Sequence, residues 1–335
     1  LFMATVNKAY IRSVGRFLPE RRLTNSDLEK MVDTNDEWII SRTGIRERRI
    51  LEPGLGNSYM AVRAARECLE RAGVDAAEID ILIVSTITPD MFFPSTACLV
   101  QKELRAERAW GFDLSAACSG FLYGLAVASQ MIETGRAQKA LVIGSEVMSS
   151  ILDYEDRNTC VLFGDGAGAV LLDACPEEGY GILDYIHRMD GNGGQWLYMR
   201  GGGSLLPPSV ETVAGKEHFV HQEGRQVFKR AVIEMAAVSE EILTKNGLTG
   251  DDVALFIPHQ ANLRIIDACA QRMGIDRSRI VINIDRYANT TAGTIPLCLY
   301  EASVEQRQLE RGDVVVMSAF GAGFTWGSVL LKWWK

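Results

Sequence analysis

The sequence predicts an α/β protein in which one α/β unit is used twice. Strand-length Val/Ile/Leu runs alternate with helical patterns over most of the chain. The order of these elements recurs, with matching strands ~170 residues apart, far beyond the short periods of solenoid repeats. A long Gly- and Pro-rich stretch without clean periodicity separates the two runs. Continuous apolar strands alternating with helices imply mostly parallel sheets covered on both faces.

In the first half, "IDILIVSTIT" reads as a buried strand and "STACLVQKELRA" as a helix. A strand at "AWGFDLSA", a helix at "SGFLYGLAVASQMIETG" and strands at "KALVIGSE" and "GAGAVLLD" follow. The second half opens with a helix from about Glu223 to Asn246. "VALFIPHQ" is then a strand, "NLRIIDACAQRM" a helix, "RIVINIDRY" a strand and "TIPLCLYEASVEQRQL" a helix. Strands at "DVVVMSAFG" and "FTWGSVLLKW" complete it. The boundary is expected near Pro176 to Gly181, dividing the chain into halves 1–178 and 179–335. The stretch "RMDGNGGQWLYMRGGGSLLPPSVETVAGKEH" is too long for an ordinary connection and is expected to run over the surface near the site.

Of the 335 residues, 47% are apolar and 23% charged, the composition of a protein with a sizeable core. No apolar run is long enough for a bilayer-spanning helix, so no membrane association is expected. The opening "LFMATVNKAY" lacks the layout of a signal peptide, and Met3 is read as the native start. Seven cysteines without regular spacing argue for reduced thiols in a cytoplasmic protein, against a disulfide framework or a zinc site. A formal net charge of −8 argues against nucleic acid as a partner, and an acidic partner would need a local basic patch.

Three polar residues fall where a strand ends and a helix begins, the edge at which α/β sheets bind ligands. Cys118 lies in "DLSAACSGFLYG", His259 closes "LFIPHQ" and Asn289 follows "INIDRYAN". Cys118 and Asn289 hold equivalent places in the two repeats, so a pseudo-two-fold packing would bring their corners together. A helix N-terminus favours a thiolate, and the small neighbours of Cys118 let a carbonyl approach the backbone. Cys68, Cys269 and Cys298 sit in amphipathic helical patterns and read as packing. Cys175 reads as a loop residue, and Cys98 and Cys160 carry no clear signal. His259 alone reads equally well as a structural histidine, and Asn289 as a turn or cap residue. "GDGAG" at 164–168 lacks a phosphate loop's Lys-Ser/Thr ending and reads as tight packing. "FGAGF" at 320–324 is open to the same packing reading, but a glycine there could also present its N–H to a reacting oxygen.

The blocks "SAACSGF", "GDGAGAVLL", "IPHQANLRII", "NTTAGTIPL" and "FGAGFTWGS", with "NDEWIISRTGIRER" near the start, resemble β-ketoacyl-acyl carrier protein synthase III. The resemblance runs from about Ile11 to the end of the chain. It implies the thiolase-like fold, a five-layered α-β-α-β-α duplication acting as a homodimer without cofactor or metal. It also implies the initiation of fatty acid synthesis. An acyl-CoA primer is joined to malonyl-acyl carrier protein with loss of carbon dioxide and CoA, giving a 3-oxoacyl-acyl carrier protein.

By this resemblance Cys118 takes the acyl group, and the N–H groups of Cys118 and Gly321 hold the tetrahedral oxyanion. His259 and Asn289 donate hydrogen bonds to the malonyl thioester oxygen as the enolate forms. Trp38 and Arg157 resemble the pair that sandwiches the CoA adenine, and Arg42 a phosphate contact. Lys229 and Arg264 resemble the basic patch that guides the carrier protein. Phe93 resembles the acyl-pocket wall lent by the other subunit. Elongating synthases have a second His at the third position and thiolases a second Cys as base. Asn at 289 matches synthase III and chalcone-type synthases, and related specialised-metabolite or polyketide enzymes share the triad. Two other classes stay open on residue types alone: a Cys-His-Asn thioester hydrolase and a non-catalytic acyl-binding scaffold. The papain-type surroundings of the cysteine are absent, and a scaffold needs no thiol at this corner.

Overall fold

The computed structural model describes residues 8–334, so Met3 lies outside the described residues. Strands β1 (Ala9–Phe17), β2 (Ile81–Ser85), β3 (Trp110–Leu114), β4 (Lys139–Val147) and β5 (Asp165–Ala174) form one sheet in the order β1-β5-β4-β2-β3. Strands β6 (Gly181–Met189), β7 (Leu255–Pro258), β8 (Val314–Gly321) and β9 (Thr325–Lys332) form a second, ordered β6-β9-β8-β7.

The two sheets repeat each other in four of their strands. In both, the first strand pairs antiparallel with the last, which pairs antiparallel with a central strand, and the remaining pairings are parallel. The expectation of mostly parallel sheets is therefore corrected to mixed ones. The antiparallel pairings come from two strands not read in the sequence, β1 and β6, from β4 against β5, and from the tight Gly321–Thr325 hairpin. A further correction falls on "RIVINIDRY". Where the first sheet has β3, the second has a single parallel bridge between Ile280 and Phe256, followed by a helical turn at Ile284–Tyr287. The buried side chain of Gln260 replaces the missing ladder. Its amide donates to the Pro258 and Val281 carbonyls and accepts from the Asn283 and Ile284 N–H groups.

Helices α1 (Asp36–Thr43), α2 (Asn57–Ala72), α3 (Thr96–Leu104), α4 (Gly120–Glu133), α5 (Gly224–Lys245), α6 (Leu263–Met273) and α7 (Thr294–Tyr300) complete the frame. The strands alternate their apolar side chains between two cores, as a period of two demands. Ala140 and Val142 face a central core with Phe121, Leu122 and Leu125 of α4 and Ile295 and Leu299 of α7. Ile257, Met317 and Val329 of the second sheet close that core from the other side. Leu141 and Ile143 face outward against Met60, Ala64 and Val100 of α2 and α3. Phe256, Val316 and Leu330 face outward against Met235, Ile242 and Ile266 of α5 and α6. The layers thus run helix, sheet, helix, sheet, helix, the thiolase-like arrangement.

α4 and α7 are the inner layer, so the corners from which they start face each other. Close approach is secured at Gly144 of β4, where any Cβ would collide with the Ala292 carbonyl just before α7. The long join is not structureless. Leu197–Tyr198 pairs with His221–Gln222, and Val210–Ala214 is a short helix.

Candidate active site

Cys118 sits in a tight turn, Ala117–Ser119, that runs into α4. Ala117 has φ of 46°, a left-handed conformation that a non-glycine residue holds only when its surroundings enforce it. Here the β8–β9 hairpin enforces it. The Ser119 hydroxyl donates to the Thr325 carbonyl at 3.0 Å, and the Thr325 hydroxyl donates to the Ala116 carbonyl at 2.8 Å. His259 extends β7 by one residue, its N–H bonded to the Ser318 carbonyl at 2.8 Å. Asn289 is gripped by the 162–164 segment. Its N–H donates to the Leu162 carbonyl at 3.0 Å, and its carbonyl accepts from Gly164 N–H at 3.1 Å.

Cys118, His259, Asn289 and Gly321 line one cavity of about 930 Å³, with Trp38, Arg42 and Arg264 also on its wall. A second cavity of about 410 Å³ also opens at Cys118 and is walled by Ile87, Met148, Ile151, Leu197 and Val220. The sulfur therefore stands between a wide, partly basic cleft and an apolar pocket, the shape a thioester with an apolar acyl group requires. Leu197 lines both cavities, so the irregular join does run over the site.

The polar side chains are aimed by their bonds. Asn289 Oδ1 accepts from Thr291 N–H at 2.8 Å, the bond of a turn residue, and this leaves its NH₂ edge uncommitted. His259 Nδ1 lies 2.7 Å from Thr294 Oγ1, while Nε2 is buried without a partner. Burial lowers the His259 pKa to about 3, so the ring is neutral. The Cys118–His259 hydrogen bond of a papain-type site is therefore not assembled here.

The expected thiolate is not the resting form. Burial pushes the Cys118 thiol well above its ordinary range, the Glu146 carboxylate adds to this, and only the residue's own N–H opposes them. A helix terminus supplies at most about 2 kcal/mol, or ~1.5 pKa units, whereas full burial moves a group by roughly 3–5 units. Burial prevails, and the thiol ionises only as it reacts. Glu146 had no sequence signal beyond a polar residue at the end of an apolar strand. It is fully buried, its pKa raised to about 7 by burial, and it accepts from the N–H groups of Ile87 and Thr88 and the hydroxyls of Thr86 and Thr88.

Other expected residues are placed less uniformly. Arg157 lies over the Trp38 ring at 5.1 Å and donates to the Asp33 carbonyl at 2.9 Å. A flat ring touching both faces needs them roughly 7 Å apart, so this gap is closed. Arg264 covers the Phe228 ring at 4.8 Å on the cavity wall, whereas Lys229 is exposed on α5 and lines neither cavity. Phe93 is 84% exposed and lines neither cavity. Cys68, Cys160, Cys269 and Cys298 are core residues, Cys175 is buried outside the regular elements, and Cys98 is exposed.

Comparison with known proteins decides the family. The 3-oxoacyl-[acyl-carrier-protein (ACP)] synthase III model matches residues 112–191, and its C-terminal counterpart matches residues 243–333. The β-ketoacyl-[acyl-carrier-protein] synthase III of Chlorobaculum tepidum is 56% identical over 97% of this chain and 99% of its own length. The chain belongs to the synthase III family. The crystal structure of the Aquifex aeolicus VF5 synthase III superposes with a TM-score of 0.89 at 44% identity, covering 97% of this chain and 100% of that one. The priming β-ketosynthase of the R1128 polyketide pathway superposes with a TM-score of 0.90 at 34% identity, covering 100% and 99%. As a synthase III family member, the chain is a condensing acyltransferase. Among the described residues no helix is long and apolar enough to cross a membrane, and no metal-binding cluster is found.

Proposed function

We propose that the chain starts fatty acid synthesis by condensing a short acyl-CoA primer with malonyl-acyl carrier protein, acting as a cytoplasmic homodimer whose two halves, 1–178 and 179–335, each bring part of the site. The observation that carries this reading is the convergence of Cys118, His259 and Asn289 on one cavity, with His259 Nε2 buried and unpartnered. A nitrogen left so inside a protein is costly unless a ligand completes it.

In the first half-reaction the Cys118 sulfur attacks the thioester carbonyl, the thiol proton goes to the departing CoA sulfur, and an acyl-Cys118 thioester forms. The N–H groups of Cys118 and Gly321 hold the oxyanion. In the second, malonyl thioester loses carbon dioxide. His259 Nε2–H and Asn289 NH₂ donate to the thioester oxygen as the enolate develops. Its carbon attacks the acyl carbonyl, and Cys118 departs as thiolate and is reprotonated. No step calls for a cofactor or metal. The closed Trp38–Arg157 gap opens when the CoA adenine enters, Arg42 meets phosphate, Lys229 and Arg264 meet the carrier protein, and Phe93 closes the partner's acyl pocket.

The test is intact mass after incubation with acyl-CoA, followed by malonyl-acyl carrier protein. An adduct on Cys118 that persists until the malonyl donor arrives and then yields 3-oxoacyl product supports condensation. Rapid release of free acid would establish a hydrolase, and no adduct a binding scaffold. His259→Ala and Asn289→Ala should still acylate but condense about 10²–10³ more slowly. The polyketide relative at 34% identity supports one rival, a specialised-product synthase, which a preference for an acyl-carrier protein primer would establish.

A further inference from the structure

We infer that Thr294 is a positioning residue that holds neutral His259 in the tautomer with its proton on Nε2, so that the turn Thr291–Thr294 sets the donor edge of both His259 and Asn289. This rests on the reading of His259 as a donor to the malonyl thioester oxygen. A neutral imidazole carries one N–H, and the partner of one nitrogen decides where it resides. The partner of His259 Nδ1 is the Thr294 hydroxyl at 2.7 Å. That hydroxyl has one proton and two candidate acceptors, Nδ1 and the Thr291 carbonyl at 3.1 Å. The Thr291 carbonyl already accepts the backbone N–H of Thr294. Two arrangements satisfy the contact: the hydroxyl donates to Nδ1, or Nδ1–H donates to the hydroxyl, which then donates to the Thr291 carbonyl. Only the first leaves the ring proton on Nε2, the buried nitrogen without a partner, where the donor reading of His259 requires it.

The same turn fixes the other donor. Thr291 N–H binds Asn289 Oδ1 at 2.8 Å, which leaves the NH₂ group for the substrate. Thr291 has φ of 53°, another left-handed non-glycine residue, and glycine at 144 lets the turn lie against β4. Two donors, one at the end of β7 and one after the Ile284–Tyr287 turn, are thus oriented by one turn, and their edges are chosen by hydrogen bonds rather than by charge.

The experiment combines ¹⁵N-histidine NMR with separate assays of the two half-reactions. The chain has 4 histidines, and the His259→Ala spectrum identifies the signal. Wild-type His259 should show a protonated Nε2 and an unprotonated Nδ1. Thr294→Val should lose that pattern and slow condensation by on the order of 10²-fold, while acylation of Cys118 proceeds at the wild-type rate. Thr294→Ser, which keeps the hydroxyl, should restore both the spectrum and condensation. A proton on Nδ1 in the wild type overturns the inference without recourse to any variant. So does a Thr294→Val enzyme that condenses normally, or one that loses both half-reactions alike. If His259→Ala itself condenses normally, the donor reading falls. If His259→Ala is crippled and Thr294→Val is not, only the role of Thr294 falls.

Discussion

Gly321 faces Cys118 with no room for a side chain: a Cβ at position 321 would lie 2.7 Å from the Cys118 amide nitrogen and 3.2 Å from its Cβ. The end of β8 and the Cys118 turn therefore meet backbone to backbone, which suits the oxyanion site proposed for their N–H groups. Gly321→Ala should slow acylation of Cys118 by about 10²-fold or more, because the methyl group displaces the oxyanion donors. Overpacking should also lower stability by roughly 1–3 kcal/mol. Burst-phase acylation with denaturant melts checks both, and normal acylation would remove Gly321 from the oxyanion site.

Cys118→Ala should take up no acyl group from acyl-CoA. The exposed Cys98 is the natural rival, since its thiol is open to solvent. Peptide mapping after labelled acyl transfer distinguishes them, and stoichiometric label on Cys98 would refute the assignment.

Glu146 makes a pH prediction. Its folded pKa, about 7, stands above the ordinary glutamate value of 4.5. Between these values the folded state binds the proton more readily than the unfolded one. Stability from this group is fully present below pH 4.5 and is lost as pH rises to about 7, by about 3 kcal/mol at most. Glu146→Gln should be less stable overall, because its NH₂ meets donors already aimed at a carboxylate. The difference between wild type and variant should narrow as pH rises from 4.5 to 7. A constant difference in chemical melts across that range would show that the group does not titrate there.

Lys229 and Arg264 should separate by donor. Under the proposed docking role, Lys229, exposed on α5 and outside both cavities, meets only a large partner, so Lys229→Glu should raise KM for malonyl-acyl carrier protein and leave malonyl-CoA nearly unchanged. Its defect should be largest at low ionic strength, where the introduced charge is least screened. Arg264 also lines the cavity, so Arg264→Glu should weaken both donors. Equal effects of Lys229→Glu on both donors would exclude a docking role.

Trp38→Ala should weaken acyl-CoA use by about 1–3 kcal/mol through lost stacking, as for bases on aromatic side chains. Acylation from a short pantetheine thioester, which lacks adenine, should barely change. Parallel loss of both would indicate general damage to the lobe around α1.

Outside β1, β6 and "RIVINIDRY", the amino-acid sequence by itself determined which runs are strands and which are helices, because burial on two faces leaves a pattern readable over a few residues. It also placed Cys118 and His259 at strand-to-helix corners and Asn289 just before α7, since such corners combine an apolar run, small or polar residues and a helical period. Only tertiary structure decided the rest, because pairing and desolvation depend on residues far away in sequence. β1 and β6 pair antiparallel with strands far away in sequence, and Gln260 stands in for the strand expected at "RIVINIDRY". Burial, not the helix end, sets the resting state of Cys118. Thr294, silent in the sequence, meets His259 from another strand's corner 35 residues away. A local pattern records which side of a segment avoids water, but not which neighbour arrives to take its place.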